Sequence, residues 1–370
     1  MNKMNKDSIV VGYPLDLLLN RTCKLKDFEE NWNFYNWEKV GGIILPDEID
    51  PGTGNIVIRG RPGTGKSTLA IQIAVACTLN PNKYDSIYLS LEERPHNVRQ
   101  KANSFGWDKY IQQLKYINNL DQFSTPYELG KTLAIIFSQI EENCPLCKEV
   151  NANKLHVHKK NIKLDRLIKN HVLVPSLSPR NLTVSDKESG KLFWDRYQQL
   201  EKLLSGAKYL RDKNNRLRIK EEINQLYIPD IRLICIDSLN VFGDKLLTRE
   251  ELFKIFDLFK KYEMIGVFVV EEDEREILSP DSRLHGDMIE YLADVVISLS
   301  SGEDHEYYMR YFEIVKSRYQ HQIYGKHPFK IHNFPGKTDS TASLNMNTLN
   351  RSGLIIYPSL HYIVLETERT

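Results

Sequence analysis

Gly60-Arg61-Pro62-Gly63-Thr64-Gly65-Lys66-Ser67 matches the pattern G-x-x-x-x-G-K-[ST] at every position. A short β-rich run, residues 55–59, precedes it. Residues 66–79 follow, with Leu69, Ile73 and Ala76 at helical spacing, and stop before Pro81. Strand, glycine loop and helix in that order are the context in which this pattern cradles phosphate. The glycines let successive backbone N–H groups turn inward, and the helix N-terminus adds partial positive charge. Lys66 then reaches the β and γ oxygens of a nucleotide, and the Ser67 hydroxyl offers a ligand to Mg²⁺.

Outward from this loop the chain alternates between strand and helix patterns. Residues 86–91, 231–236, 265–270 and 295–299 read as strands, and residues 97–105, 250–262 and 287–292 as helices. That alternation predicts an α/β fold with a mainly parallel central sheet and helices on both faces. After Tyr307 the pattern changes to extended segments at 311–315, 328–331, 353–357 and 362–365, expected as antiparallel additions to one sheet edge.

The same logic selects further site residues. Ile231-Arg232-Leu233-Ile234-Cys235-Ile236-Asp237 is an apolar strand closed by an acid, which places Asp237 to hold the Mg²⁺ shell. Asp294 competes, but it opens a strand instead of closing one. Glu92 and Glu93 end the strand that begins at Ser86, at the sheet edge where parallel folds bind ligands. One of the two is expected to activate water, and their spacing alone does not choose between them.

Composition bounds the remaining options. The 370 residues are 41% apolar and 27% charged, a globular balance in a length that suits one large α/β domain with insertions or two units. Fifty Lys+Arg against forty-nine Asp+Glu leave a formal +1, which argues against a chain built mainly to coat nucleic acid. The longest apolar run, Met264 to Val270, is far short of the roughly 20 residues of a membrane helix. The polar start Met1-Asn2-Lys3-Met4-Asn5-Lys6 lacks a signal-peptide pattern, and five Cys are too few for a disulfide scaffold. The expected compartment is the cytoplasm.

The order of motifs resembles a family. Gly60 to Thr68, Ser90-Leu91-Glu92-Glu93, Ser104-Phe105-Gly106-Trp107, Ile236-Asp237-Ser238, Glu290-Tyr291-Leu292-Ala293-Asp294 and Glu313-Ile314-Val315-Lys316-Ser317-Arg318 look like the KaiC-type branch of RecA-fold P-loop ATPases. The resemblance covers residues 41–120, 228–335 and 353–357. It implies a RecA-like fold that binds and hydrolyses ATP with Mg²⁺, in a ring, usually hexameric, with nucleotide held between neighbouring subunits. The nucleotide-binding residues it implies are Gly60, Arg61, Pro62, Gly63, Thr64, Gly65, Lys66, Ser67 and Thr68. It assigns water activation to Glu92 and Glu93, and makes Lys316 and Arg318 the residues that reach the γ-phosphate of the next subunit. The clock ATPase that names the family carries two such domains, whereas this chain has one. That protein's autophosphorylated Ser-Thr segment has no counterpart here.

The expected organisation is an N-terminal arm over 1–40, an ATPase domain over 41–335 interrupted by an insertion at 121–227, and C-terminal loop and strands over 336–370. Within the insertion, Leu200, Leu203, Leu204, Ala207 and Leu210 form a heptad-like stripe on a long helix. Cys144 and Cys147, with His156 and His158 nine residues on, have a spacing compatible with Cys₂His₂ zinc ligation; plain structural thiols are the alternative. Residues 154–180 hold seven Lys/Arg and one Asp (7 − 1 = +6), a patch suited to nucleic acid, to an acidic protein surface or to solvent. Three functional readings follow: a nucleotide-driven oligomeric switch that engages a protein partner, a DNA-dependent ATPase acting as motor or recombination mediator, and a nucleotide-bound scaffold with negligible turnover.

Overall fold

The parallel strands carry apolar residues at consecutive positions because both of their faces are covered. The computed structural model describes residues 8–9, 43–44, 52–79, 84–107, 111–114, 123–143, 172–175, 189–223, 228–242, 247–272, 288–304, 307–319, 325–333 and 352–357. Its elements are β1 (Ser8–Ile9), β2 (Ile43–Ile44), β3 (Ile56–Gly60), α1 (Lys66–Leu79), β4 (Asp85–Ser90), α2 (Pro95–Ser104), β5 (Ile111–Leu114), α3 (Pro126–Asn143) and β6 (Val172–Pro175). They continue with α4 (Ser189–Arg211), α5 (Lys213–Ile223), β7 (Ile231–Asp237), α6 (Arg249–Lys261), β8 (Ile265–Glu271), β9 (Val295–Asp304), β10 (Tyr307–Ser317), β11 (His327–His332) and β12 (Gly353–Ile356).

Ten strands form one sheet in the order β12-β11-β10-β9-β3-β8-β7-β4-β6-β5. From β9 to β5 every neighbouring pair is parallel, whereas β9–β10, β10–β11 and β11–β12 are antiparallel. This is the α/β, RecA-like arrangement that the strand–helix alternation leads one to expect, with the antiparallel strands on one edge.

One face of the sheet is closed by α1, whose residues Leu69 to Cys77, Gln72 aside, pack with Val98, Ala102 and Trp107. A buried amide ties α1 to the far edge: Gln72 donates to the Leu354 carbonyl at 3.2 Å and accepts from its N–H at 2.9 Å. The other face is closed by α3, α4 and α6. Helix α6 begins with a capping box, in which Thr248 accepts from the Glu251 N–H while Glu251 bonds back to the Thr248 N–H.

The stretch 121–227, expected as an insertion, is built into the core over its described parts. Strand β6 lies in the parallel sheet between β4 and β5. The stripe Leu200, Leu203, Leu204, Ala207 and Leu210 is buried against Leu129 and Leu133 of α3 and Ile234 and Ile236 of β7. The heptad-like spacing therefore serves an intramolecular seam: burying it on the sheet removes a continuous apolar strip from water. Residues 144–171, which contain Cys144, Cys147, His156 and His158, lie outside the described residues, as do 1–7 and 10–40 of the N-terminal arm, 334–351 and the strand expected at 362–365.

Candidate functional site

Because β3, β8, β7 and β4 are parallel neighbours, their C-terminal ends share one edge. Gly60 is level with Glu271, and Ser90 with Asp237. The phosphate loop leaves β3 there and returns into α1. Gly63 and Gly65 have φ of 77° and 104°, in the region that side chains rarely adopt, so the turn depends on them. Arg61, Pro62 and Gly63 are exposed, while Thr64, Lys66 and Thr68 are buried. The loop is braced internally: Thr64 Oγ1 and Lys66 Nζ each donate to the Arg61 carbonyl at 2.8 Å. Burial holds the Lys66 pKa below its ordinary value, and Glu271, Asp237, Glu272 and Glu92 pull against that shift. The Lys66 ammonium thus lies in the field of four carboxylates, on the first turn of a helix whose N-terminus attracts anions.

Asp237 closes β7 as expected and is largely buried. Burial pushes its carboxyl upward, and hydrogen bonds from the Tyr88 and Ser67 hydroxyls pull it down. Ser67 and Asp237 are therefore in contact and supply hard oxygen donors of the kind Mg²⁺ takes beside nucleotide phosphates. The donor set fits that ion. Asp294, the competing acid, is buried elsewhere: it accepts the Asn55 N–H at 2.9 Å and pairs with Lys260 and Arg318 at 3.6 and 3.5 Å.

Glu92 and Glu93 follow β4 but differ in their surroundings. Glu92 is exposed at the site and accepts from the Ser238 hydroxyl, one residue beyond Asp237. Glu93 is held away by an ion pair with Lys101 at 2.9 Å, and its carbonyl takes the Ser90 hydroxyl at 2.7 Å. The structure thereby separates two residues that adjacency in sequence left equivalent.

Lys316 and Arg318 are not brought to the phosphate loop. Lys316 pairs with Val296 and Ser317 with Val295, at the start of β9, which is level with Ile56 at the start of β3. Four strand residues separate that level from Gly60, about 13 Å at the usual rise. Lys316 Nζ donates to the carbonyls of Glu290 and, at 3.1 Å, Tyr291; Arg318 donates to the Tyr291 carbonyl. Burial and the neighbouring Arg318 cation lower the Lys316 pKa.

Four residues of the site escaped the sequence reading. Glu271 and Glu272 follow the apolar run of β8, the same signal that selected Asp237. Asn240 fixes this strand end, donating to the Glu271 carbonyl at 3.0 Å and accepting its N–H at 2.9 Å. Tyr88 carried no sequence signal, since within an apolar strand it reads as core. Among the described residues no cluster of three or more His, Cys, Asp or Glu could hold a metal ion, and no helix is long and apolar enough to cross a membrane.

A family model described as "ATPase: KaiC" matches residues 49–157 and 192–336, more than half of the chain. It reaches into the 121–227 stretch that the motifs left outside the resemblance, in keeping with the burial of α3 and α4 on the sheet. No curated protein matches the chain.

Proposed function

The chain belongs to the KaiC family of RecA-fold, P-loop ATPases, and on that premise we propose that it hydrolyses ATP as an oligomeric ring whose nucleotide sites are shared between subunits, and so acts as a switch on a protein partner. One observation carries the shared-site reading: Lys66, Ser67, Asp237 and Glu92 meet where the parallel strands end, while Lys316, on β10, and Arg318, just beyond it, stand level with where β9 and β3 begin.

In this reading the loop N–H groups and Lys66 would hold the β- and γ-phosphates, and Ser67 and Asp237 would hold Mg²⁺. Held there, the ion would offset the negative charge of the phosphates. Glu92, steadied by Ser238, orients the attacking water and accepts its proton. Lys316 and Arg318 of one subunit approach the γ-phosphate bound to the next, so the cations that offset developing charge arrive only on assembly. The ion pair between Arg59 and Glu290 at 2.5 Å connects the strand end beside the loop to the helical turn whose carbonyls hold Lys316. Zinc at Cys144, Cys147, His156 and His158 is a separate proposal, tested by elemental analysis for one zinc per chain.

The decisive experiment is ATP turnover per subunit across a dilution series, with and without single-stranded DNA. Specific activity that falls on dilution and ignores DNA supports the shared-site switch. Activity independent of concentration refutes the shared site, and strong stimulation by DNA replaces the switch with a DNA-handling motor.

A further inference from the structure

Tyr88 is a fully buried tyrosine in the middle of β4, a strand buried at every position. A phenylalanine would fill the same volume without bringing a hydroxyl into the core. A buried hydroxyl requires a partner. Its partner is the carboxylate of Asp237, to whose Oδ2 it donates. Strand register explains the reach. Tyr88 is level with Cys235, and Asp237 lies two residues further along β7, on the same face as Cys235. A tyrosine leaning along its strand spans the ~7 Å that two residues cover. Ser90, the residue level with Asp237, is small and turns its hydroxyl to the Glu93 carbonyl, leaving the space open.

Asp237 therefore has two hydroxyl donors of different kinds. Ser67, in the first turn of α1, gives its proton to Asp237 and would offer its oxygen lone pairs to Mg²⁺, so its position would be shared between the two. Tyr88 is locked in the sheet, fully buried in β4. Its hold on the Asp237 carboxylate does not depend on Ser67.

We propose that Tyr88 is a positioning residue for Mg²⁺-nucleotide binding, its hydroxyl fixing the Asp237 carboxylate in the rotamer that serves the ion. The proposal rests on the ATP·Mg²⁺ reading above. Outer partners of metal-holding groups act by orientation, and their loss typically costs about 10–100-fold in metal affinity.

The test is binding of a fluorescent N-methylanthraniloyl ATP to the full chain, in Mg²⁺ and in EDTA. Tyr88→Phe leaves the affinity in EDTA at the wild-type value and reduces the gain on adding Mg²⁺ about 10-fold. In an Asp237→Asn background the same substitution adds no further loss, which a general packing defect would not reproduce. A Tyr88→Phe protein with the wild-type Mg²⁺ gain overturns the proposal alone. So does an equal additional loss in the Asp237→Asn background. A wild-type chain that shows no Mg²⁺ gain overturns the ATP·Mg²⁺ reading and this proposal with it.

Discussion

Replacing Glu92 by Gln keeps the side-chain shape and removes the carboxylate that faces the site and accepts the Ser238 hydroxyl. A positioned general base contributes about 10²–10⁴-fold in rate, or roughly 3–5 kcal/mol of barrier. Replacing Glu93 instead breaks an ion pair with Lys101 in which both side chains are about one-third exposed, at 31% and 39%. Pairs at such exposure are screened and contribute about 0.2–1 kcal/mol, so Glu93→Gln should lower turnover by less than about fivefold. The assay is single-turnover ATP hydrolysis at protein concentrations where the oligomer is assembled, alongside nucleotide affinity for each variant. Glu92→Gln should retain or gain affinity, because it removes a negative charge near Lys66 that would repel an incoming phosphate. A Glu93→Gln variant as inactive as Glu92→Gln, with affinity retained in both, would refute the assignment of the base from these partners.

Further outcomes follow from the same geometry. Lys316→Ala should bind nucleotide within about twofold of wild type and lose turnover. Mixing it with inactive Lys66→Ala subunits should restore activity where an intact loop meets an intact Lys316, and no recovery in the mixture would exclude a shared site. Gly54 has φ 72°, and a Cβ there would stand 2.3 Å from the Asp294 Oδ2 that takes the Asn55 N–H. Gly54→Ala is thus expected to cost roughly 2–4 kcal/mol in urea unfolding, and a change below about 0.5 kcal/mol would contradict that packing. Glu263 has its carboxyl lowered from an ordinary 4.5 by its hydrogen bond to Lys208. A carboxyl with a depressed folded-state pKa stabilises above its unfolded pKa, and the gain is lost as pH falls through the folded value. Glu263→Gln should accordingly differ from wild type in melting temperature near neutral pH and converge with it well below pH 4.5; a constant difference would disprove the linkage.

Much of the fold can be read from residue order because it rests on local signals. The phosphate loop, helix α1 with its stop before Pro81, and strands β7 and β8 are set by glycine placement and nearly continuous apolar runs. A strand buried on both faces shows itself without reference to its neighbours. Asp237 and the carboxylate pair at 92–93 were legible for the same reason, as acids at the ends of such runs. Tertiary structure decided what depends on partners distant in the chain. Four-residue strands such as Val172–Pro175 join the sheet only through the strands flanking them in space, so that stretch reads as an insertion until β4 and β5 stand on either side. The different surroundings of Glu92 and Glu93 come from Ser238 and Lys101, and the Tyr88 hydroxyl finds its partner in an aspartate 149 residues away. The placement of Lys316 and Arg318 away from their own loop follows from the register of β9 against β3. Hydrophobic periodicity is written along the chain, whereas hydrogen bonds and ion pairs between distant residues exist only once the sheet has brought its strand ends together.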